Sequence, residues 1–564
     1  MIDSSPEFPV FITPRSTDAL PDTEKRAARV ILLLFLALII FPYAFAALIT
    51  PSNLVWGGLL FVVDDQNVHL MWARQAQDGA FFMRDLFTTE SLISGEPALF
   101  FNFLPYLMGI LARITGLEVV VWYHAIRIAG AAIGLWQFHL LSRTVTRDEP
   151  RHSRARILAL IFVAFTLGGG FLGVLWPALA RAFDFIDNPV GTFPIMPEAF
   201  FSLSSLVFPV NAVSMALLAF IFRLVLERRG ALALFFAALV LSNIHTYDAL
   251  PLLVALAIWV VWRVREGDRA TLKVSAAAMA GALLPVIYQF LVFRGSEEFR
   301  LKALTPTVPS PLIHTLLSWM PLLICMAWPR PESRLASRDL PSARLLWVWV
   351  ATVFALIYMP PSIFPFARKM MEGVQLPMCI LAGLGLSAFL SRFASRPARI
   401  ALGGAIVLLP ALSTLVVWGW ILQNSAENNA SRWKYFMPPY SITRGEAGAL
   451  ATLNTQKEQG AVLCLPFIGS YVPRATAKAT YVGHWAETLH YYDKLGAANR
   501  FYRGSMTSSE AHDFLARQRI RWVIFGPFER QIAGRELPAE QLGLQTIYRG
   551  GDAQNGLTTL YRVP

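Results

Sequence analysis

The stretch KRAARVILLLFLALIIFPYAFAALI, residues 25–49, sets the fold class. Its apolar run from Val30 onward has the length of about 20 residues that an α-helix needs to cross a hydrocarbon core about 30 Å thick. Because lipid offers the backbone no hydrogen bonds, such a run must be helical. Lys25, Arg26 and Arg29 come before the run, and basic residues mark the cytoplasmic side of a span. The stretch therefore predicts an uncleaved membrane anchor that starts in the cytoplasm.

The composition extends this conclusion to most of the chain. Of the 564 residues, 55% are hydrophobic and only 15% are charged, whereas soluble domains carry about 25% charged residues. Basic residues cluster in short loops between apolar blocks, so the formal net charge of +12 indicates membrane topology and not nucleic-acid binding. Cys325, Cys379 and Cys464 form no CxxC spacing, which argues against a disulfide framework or a cysteine metal site.

The apolar blocks predict a polytopic α-helical membrane protein with about eleven transmembrane helices. The predicted spans are 30–49, 118–141, 156–178, 206–226, 231–245, 249–264, 272–293, 311–328, 345–359, 374–391 and 400–422. The segment Ala98–Thr115 is short and contains Pro105 and Arg113, so we expect a helix that lies in the membrane interface. The basic loops then alternate along the chain, which places the N-terminus in the cytoplasm and the C-terminus outside.

Three regions follow from this pattern. Residues 1–28 are predicted as a disordered cytoplasmic tail, 29–422 as the transmembrane domain with an external first loop at 50–117, and 423–564 as an external soluble α/β domain. In the last region, predicted strands at 461–466, 480–482 and 522–525 alternate with predicted helices at 446–456 and 508–518. The sequence has no Walker-type glycine loop, which argues against an ATP-driven pump. We expect a multi-pass protein of a bacterial inner membrane.

The first external loop opens with FVVDDQNVH, residues 61–69. Two adjacent carboxylates at the exit of a membrane helix are costly unless they are solvated, paired or functional. The stretch 65–79 can form an amphipathic helix on which Asp65 and His69, at i and i+4, share a face, and His69 is expected to contact the substrate. Asp64 is rotated from Asp65 by about 100°, so we expect the two acids to have different roles. A solvated helix cap is the alternative.

This arrangement resembles the GT-C glycosyltransferases, which include the protein O-mannosyltransferases and the aminoarabinose transferases acting on lipid A. The resemblance rests on the first span, the acids that open the external loop, a juxtamembrane helix and the amphipathic segment PALFF at 97–101, and it covers the topology of roughly residues 25–425. It implies an enzyme that moves a sugar from a polyprenyl-phosphate donor to a glycan, lipid or protein acceptor at the outer membrane face. Asp64 or Asp65 would take the proton of the acceptor hydroxyl, and cationic side chains would stabilise the departing phosphate.

The loop PPSIFPFARKMMEGVQLP, residues 360–377, supplies such cations. Arg368 and Lys369 are the predicted donor-phosphate ligands, since Arg can bind phosphate with two parallel hydrogen bonds and Lys supplies a point charge. We expect Glu372 to neutralise one of them. Snorkelling of the basic pair to lipid headgroups is the alternative.

Two polar groups near the outer face are predicted to line the substrate site. His245, Tyr247 and Asp248 lie in NIHTYD, residues 243–248, which joins two spans almost without a loop; a tight polar hairpin is the alternative. Arg127 lies nine residues into a span, at a depth of about 14 Å. A buried Arg needs a partner, and we expect an acid of the first loop to provide it; structural pairing and substrate contact both remain open.

In the C-terminal region, GHWAET at 483–488 follows a predicted strand. His484, Trp485 and Glu487 are expected to line a sugar or acceptor groove, with a packed helix start as the alternative. The sequence implies no cofactor: a metal held by Asp65 and His69 lacks an evident third ligand, although a divalent metal stays open.

Two rival functions remain. A transporter or lipid flippase would show paired halves with broken helices in matching places, and the sequence shows no such repeat. A non-catalytic cell-envelope assembly protein would not need an acidic pair that faces a basic pocket.

Overall fold

The structure is a computed structural model that describes residues 22–147, 152–168, 171, 175–176, 197–304, 306–328, 341–427, 440–552 and 556–564. Within these residues, seven helices are long and apolar enough to cross a membrane by length and composition, and further apolar helices are shorter. A mixed sheet with flanking helices forms the C-terminal region. The predicted fold class is confirmed.

Up to residue 427, the part of the chain that the structure describes consists mainly of helices. In chain order they are α1 (Asp22–Ile49), α2 (Val63–Gln77), α3 (Glu90–Ser94), α4 (Phe103–Thr115), α5 (Val119–Val145), α6 (His152–Phe165), α7 (Phe201–Val207), α8 (Pro209–Glu227), α9 (Ala231–Ile244), α10 (Ala249–Arg265), α11 (Arg269–Gly295), α12 (Glu297–Ala303), α13 (Leu312–Ala327), α14 (Pro341–Ile357), α15 (Gln375–Leu390) and α16 (Arg396–Glu427). Each predicted span overlaps one of these helices. The prediction at 156–178 lies partly outside the described residues.

The first helix begins earlier than predicted. It starts at Asp22, so residues 22–28 belong to α1 and not to a disordered tail, while residues 1–21 lie outside the described residues. Asp22 and Glu24 in its first turn suit the positive end of the helix dipole. Glu24 is buried 3.5 Å from the guanidinium of Arg156 on α6. This ion pair gives the polar start of the helix a tertiary partner that apolar patterning does not reveal.

The predicted interface helix is α4. Its 13 residues span about 20 Å at 1.5 Å per residue, which is less than a hydrocarbon core. Asn102 caps its start by accepting a hydrogen bond from the Leu104 N–H at 3.1 Å, and Gly116 ends it in the left-handed region at φ 72°. At Gly109 the helix lies so close to α2 that a Cβ atom would approach the Ala73 carbonyl oxygen to 2.3 Å.

The C-terminal region is a five-stranded mixed sheet with helices. Its elements are β2 (Ser441–Thr443), α17 (Arg444–Thr455), β3 (Ala461–Leu463), α18 (Pro466–Gly469), α19 (Val472–Thr476), β4 (Ala479–Thr480), α20 (Tyr491–Tyr502), α21 (Ser508–Arg517), β5 (Ile520–Phe525), α22 (Pro527–Ala533), β6 (Gln545–Gly550) and β7 (Thr558–Arg562). The strand order is β4-β3-β5-β7-β6, with β3 parallel to β4 and β5, and β7 antiparallel to β5 and β6. The sequence did not predict β6 and β7. Strand β6 is polar and largely exposed at the sheet edge.

The C-terminal region packs on the first loop, between α1 and α5. Strand β1 (Leu54–Trp56), shortly after α1, pairs antiparallel with β2 in the register Val55↔Ile442. The Thr480 N–H donates to the Leu86 carbonyl at 2.8 Å. Segments that are far apart in the sequence therefore contact each other directly.

The close crossing of α2 and α4 makes a testable prediction. We expect Gly109→Ala to destabilise the chain by about 1–3 kcal/mol, because the added methyl group overpacks the contact with Ala73. Gly404→Ala is the matched control: Gly404 also lies inside an apolar helix, but nothing stands within 4 Å of its Cβ position. The control is expected to be neutral or stabilising by up to about 1 kcal/mol. Thermal unfolding of both purified variants compares them, and equal losses of stability would contradict the crossing.

Candidate active site

Two adjacent acids and one histidine meet where the first loop contacts the C-terminal region. Asp64 and Asp65 open α2, as predicted, and His484 lies in the loop after β4. Nε2 of His484 is 3.1 Å from Oδ1 of Asp65 and 3.7 Å from Oδ2 of Asp64. The rotation along the helix separates the two acids: Asp64 is buried at 3% exposure, whereas 55% of the Asp65 side chain is exposed. The two acids therefore lie in different environments, and their different roles remain a prediction.

The tautomer of His484 follows from its contacts. Nδ1 accepts backbone N–H groups of Ala486 and Glu487 at 3.0 and 3.1 Å, so Nε2 carries the proton and donates to Asp65. Burial and the two N–H groups disfavour a second proton on the ring. The hydrogen bond to Asp65 and the charge of Asp64 favour the second proton, and their effect is larger, so the pKa of His484 is raised. His484 is buried and stands behind Asp65, so it does not line the predicted groove.

The acids titrate in opposite directions. Burial and the adjacent charge of Asp65 raise the pKa of Asp64 to about 6. Desolvation alone would raise the pKa of Asp65 too. The hydrogen bond and charge of His484, together with the charge of Lys369, outweigh this effect and lower the pKa of Asp65. Asp65 is therefore the ionised, accessible carboxylate at neutral pH. Burial lowers the pKa of His69 to about 4, so this ring is neutral.

One of the two predicted cations, Lys369, lies close enough to His69 for its charge to act on that ring. The charges of Asp65, His245 and Lys369 all act on the His69 ring, which places these predicted residues in one neighbourhood. Lys369 holds its ammonium 4.8 Å from the centre of the Tyr247 ring.

The other cation of the pair, Arg368, lies 3.7 Å from Glu198. Glu198 lies in the 3-10 helix Pro197–Ala199. Part of the charge of Arg368 is thus already compensated inside the protein.

Glu372 does not neutralise Arg368 or Lys369 as expected. It follows the 3-10 helix Ala367–Met371 and points at the hairpin between α9 and α10. There Nδ1 of His245 lies 3.1 Å from Oδ2 of Asp248 and 3.3 Å from Oε2 of Glu372. The loop turns after Met371, which carries Glu372 away from the two basic side chains and into a buried polar cluster.

Glu487 is part of a second charged cluster. Its carboxylate lies 2.5 Å from the ammonium of Lys302 on α12. Lys302 also contacts Asp85 and lies 3.8 Å from Glu298. Burial and the charge of Asp85 raise the pKa of Glu298 to about 8, and burial raises that of Asp85 to about 6. The cluster ties the first loop, α12 and the C-terminal region together. Trp485, between His484 and this cluster, is 38% exposed.

Arg127 has partners other than the expected acid. It is 1% exposed, and its guanidinium donates to the carbonyls of Ser205 and Ile39 at 2.8 and 3.2 Å. Ser205 lies in the last turn of α7, whose carbonyls have no partners within the helix. The structure therefore uses Arg127 to cap a buried helix end, and we assign it no substrate contact.

Comparisons with solved structures agree with this architecture. The arabinofuranosyltransferase AftD from Mycobacteria aligns with a TM-score of 0.54 and 12% identity, over 97% of this chain and 40% of AftD. ArnT from Cupriavidus metallidurans, bound to undecaprenyl phosphate, aligns with a TM-score of 0.51 and 11% identity, over 94% of this chain and 97% of ArnT. No protein-family model and no curated protein matches the sequence.

The chain has the GT-C fold. The predicted resemblance is thereby confirmed at the level of the fold. At these low identities the GT-C fold does not assign roles to individual residues, so the residue roles are argued from the geometry above.

Several charged residues around the site were not predicted from the sequence. These are Glu198, which lies beside Arg368, and the cluster of Asp85, Glu298 and Lys302. Asp85 lies in the first loop, but its partner Lys302 is 217 residues away. An acid in an otherwise apolar segment, as Glu198 is, was the available signal.

The Lys302 cluster predicts a pH dependence of stability. Because the pKa of Glu298 is raised in the folded state, the folded chain still holds a proton between about pH 4.5 and 8 that the unfolded chain has already lost. The stability of the folded chain therefore falls as pH rises through this window. Glu298→Gln removes this loss, and we expect its Tm to exceed that of the unsubstituted chain by about 2–4 °C at pH 8 and by little at pH 5. Thermal unfolding of the purified chain at both pH values measures the effect.

Glu297→Gln is the control, since Glu297 is the exposed neighbour on the same helix. It is expected to change the Tm at neither pH. A Glu298→Gln variant whose Tm falls in parallel with that of the unsubstituted chain would contradict the raised pKa.

Proposed function

We propose that this chain is a membrane glycosyltransferase that moves a sugar from a polyprenyl-phosphate donor to an acceptor hydroxyl of the cell envelope at the outer membrane face. The observation that carries the proposal is the exposed carboxylate of Asp65, held by buried His484 and facing the charge of Lys369. The GT-C fold and the undecaprenyl phosphate bound to ArnT support the donor class. The expected orientation, with the N-terminus in the cytoplasm and the C-terminal region outside, places this site at the outer face.

Asp65 is assigned as the general base. The acceptor oxygen attacks the anomeric carbon, the bond from that carbon to the donor phosphate oxygen breaks, and the hydroxyl proton passes to Asp65. The lipid phosphate leaves with the bonding electrons. A base must reach the proton it removes, and of the two acids only Asp65 has an exposed carboxylate.

Asp64 and His484 are assigned as positioning residues. His484 donates from Nε2 to one Asp65 oxygen and leaves the other oxygen to accept from the incoming hydroxyl. The buried carboxylate of Asp64, 3.7 Å from the same nitrogen, helps to orient the ring. In this arrangement the base is aligned by a hydrogen bond from a second group, which a third group orients in turn.

Lys369 and Arg368 are assigned to the donor phosphate. Lys369 lies over the ring of Tyr247, which holds the long side chain in place while its ammonium stays available as a point charge. Arg368 is one-third exposed and only loosely paired with Glu198 at 3.7 Å. Developing charge on a departing phosphate is stabilised by such preorganised cations. Trp485 and Glu487 are assigned to the acceptor side, at the edge of the C-terminal region.

Substitution of the acids tests the proposal. Asp65→Asn is expected to lower sugar transfer by about 10²–10⁴-fold, because an amide cannot accept the proton. Asp64→Asn is expected to lower it less, since Asp64 acts through His484. The measurement is mass spectrometry of envelope glycans and glycolipids in a deletion strain complemented with each variant.

Asp78→Asn is the matched control. Asp78 follows the end of the same helix and forms an exposed ion pair with Arg74, so its loss is expected to leave transfer unchanged. Membrane levels and Tm of every variant are measured in parallel. If Asp65→Asn kept full transfer at normal membrane levels, the chain would not be a glycosyltransferase with this base, and an unaltered envelope in the deletion strain would remove the enzyme proposal altogether.

A further inference from the structure

We propose that His245, Asp248 and Glu372 form a binding site for one divalent transition-metal ion, Zn²⁺ or Mn²⁺, separate from the Asp64–Asp65–His484 group. Two loops bring these residues together. His245 and Asp248 belong to the turn between α9 and α10, and Glu372 belongs to the loop before α15. One ligand atom from each residue, an imidazole nitrogen or a carboxylate oxygen, lies within 4.8 Å of the other two.

The carboxylates of this group are buried without hydrogen bonds. Asp248 is 1% exposed and Glu372 is 2% exposed. Both oxygens of each carboxylate lack a hydrogen-bond partner among the residues that the structure describes. Burying an unpaired carboxylate is costly, and proteins compensate such groups with a counter-charge, hydrogen bonds or a metal ion.

Buried acids elsewhere in the chain show the contrast. Glu529 accepts backbone N–H groups of Leu465 and Gly526 at 2.7 and 3.0 Å, and Glu446 accepts the Thr443 N–H at 2.8 Å. Both therefore have the donors that a buried carboxylate needs. Asp248 and Glu372 have only the ring of His245 between them, which can supply at most one proton to two acids.

The surrounding charges do not supply the missing compensation. Glu198 adds negative charge, since it acts electrostatically on Glu372. The two basic side chains that precede Glu372 in the same loop are directed elsewhere: Arg368 towards Glu198 and Lys369 over the ring of Tyr247. A divalent cation would balance the negative charges of the Asp248 and Glu372 carboxylates.

The donor set selects the type of metal. One imidazole and two carboxylates suit Zn²⁺ or Mn²⁺, whereas Ca²⁺ and Mg²⁺ prefer oxygen ligands alone. Ligand bonds of about 2.0–2.2 Å bring tetrahedral ligands to about 3.4 Å from one another. The present separations of at most 4.8 Å can close to this spacing by rotation of the carboxylates.

The Asp64–Asp65–His484 group is a weaker candidate by the same criteria. Its ligand atoms are also close together, but Nε2 of His484 already donates to Asp65 and Nδ1 accepts two backbone N–H groups. Both ring nitrogens are therefore engaged. This group serves as the matched control for the metal site.

Metal content of the purified full chain tests the inference. The chain is stripped with a chelator, equilibrated with Zn²⁺ or Mn²⁺, freed of loose metal by gel filtration and measured by inductively coupled plasma mass spectrometry. We expect about one ion per chain, and a loss of at least tenfold in Asp248→Asn and in Glu372→Gln. Asp65→Asn and His484→Gln are expected to keep the ion.

Thermal unfolding separates a lost site from a lost fold. Asp248→Asn and Glu372→Gln replace buried charges by neutral amides, so without metal we expect both to unfold no earlier than the unsubstituted chain. Added metal should raise the Tm of the unsubstituted chain and leave that of Glu372→Gln unchanged. A folded chain that retains no ion, or loses it equally in Asp65→Asn, would overturn the site. Neither readout requires sugar transfer, so the metal site and the glycosyltransferase proposal can fail independently.

Discussion

The hydrogen bond between His484 and Asp65 is the interaction on which the arrangement of the site depends. It joins two residues that are 419 positions apart and crosses the contact between the first loop and the C-terminal region. The pairing of β1 with β2 fixes the same contact through the backbone, and the Lys302 cluster fixes it through charge. The C-terminal region is therefore part of the candidate site and not an appended domain. The predicted boundary at residue 423 does not separate it from the residues of the first loop.

Charge compensation organises the contact between the first loop and the C-terminal region. A buried ionised group needs a partner, because desolvation otherwise favours its neutral form. Asp64, Asp85 and Glu298 follow this rule with raised pKa values. Asp65 is the exception: it is accessible and its pKa is lowered. Exposure separates the two neighbouring acids most clearly, because the Asp65 carboxylate is accessible whereas that of Asp64 is buried.

Features that depend on local sequence were predicted, and features that depend on distant partners were not. The spans were predicted because apolar length alone determines them, and the different environments of Asp64 and Asp65 follow from the rotation of one helix. The partner of Asp65 was not predicted, since nothing in GHWAET specifies which loop it contacts. The predicted partner of Glu372 was wrong for the same reason. Glu372 is close to Arg368 and Lys369 in the sequence, but the turn after Met371 directs its side chain away from both.

Arg127 shows how a correct physical rule gave the wrong partner. The rule that a buried Arg needs compensation holds, but the compensation comes from backbone carbonyls and not from an acid. Helix α7 ends at Val207, and Pro209, which has no N–H, begins α8. The last carbonyls of α7 therefore need other donors, and three side chains supply them. These are Tyr43 to Leu206, Tyr123 to Val207 and Arg127 to Ser205, each at 2.8 Å.

A cation at a helix C-terminus is also favoured by the helix dipole, so the buried guanidinium stabilises the break between α7 and α8. The sequence signal for this arrangement was Pro209 within an apolar block, because a proline there interrupts the helix and leaves carbonyls exposed to the interior. Had that interruption been combined with the unexplained Arg127, the backbone would have been the expected partner.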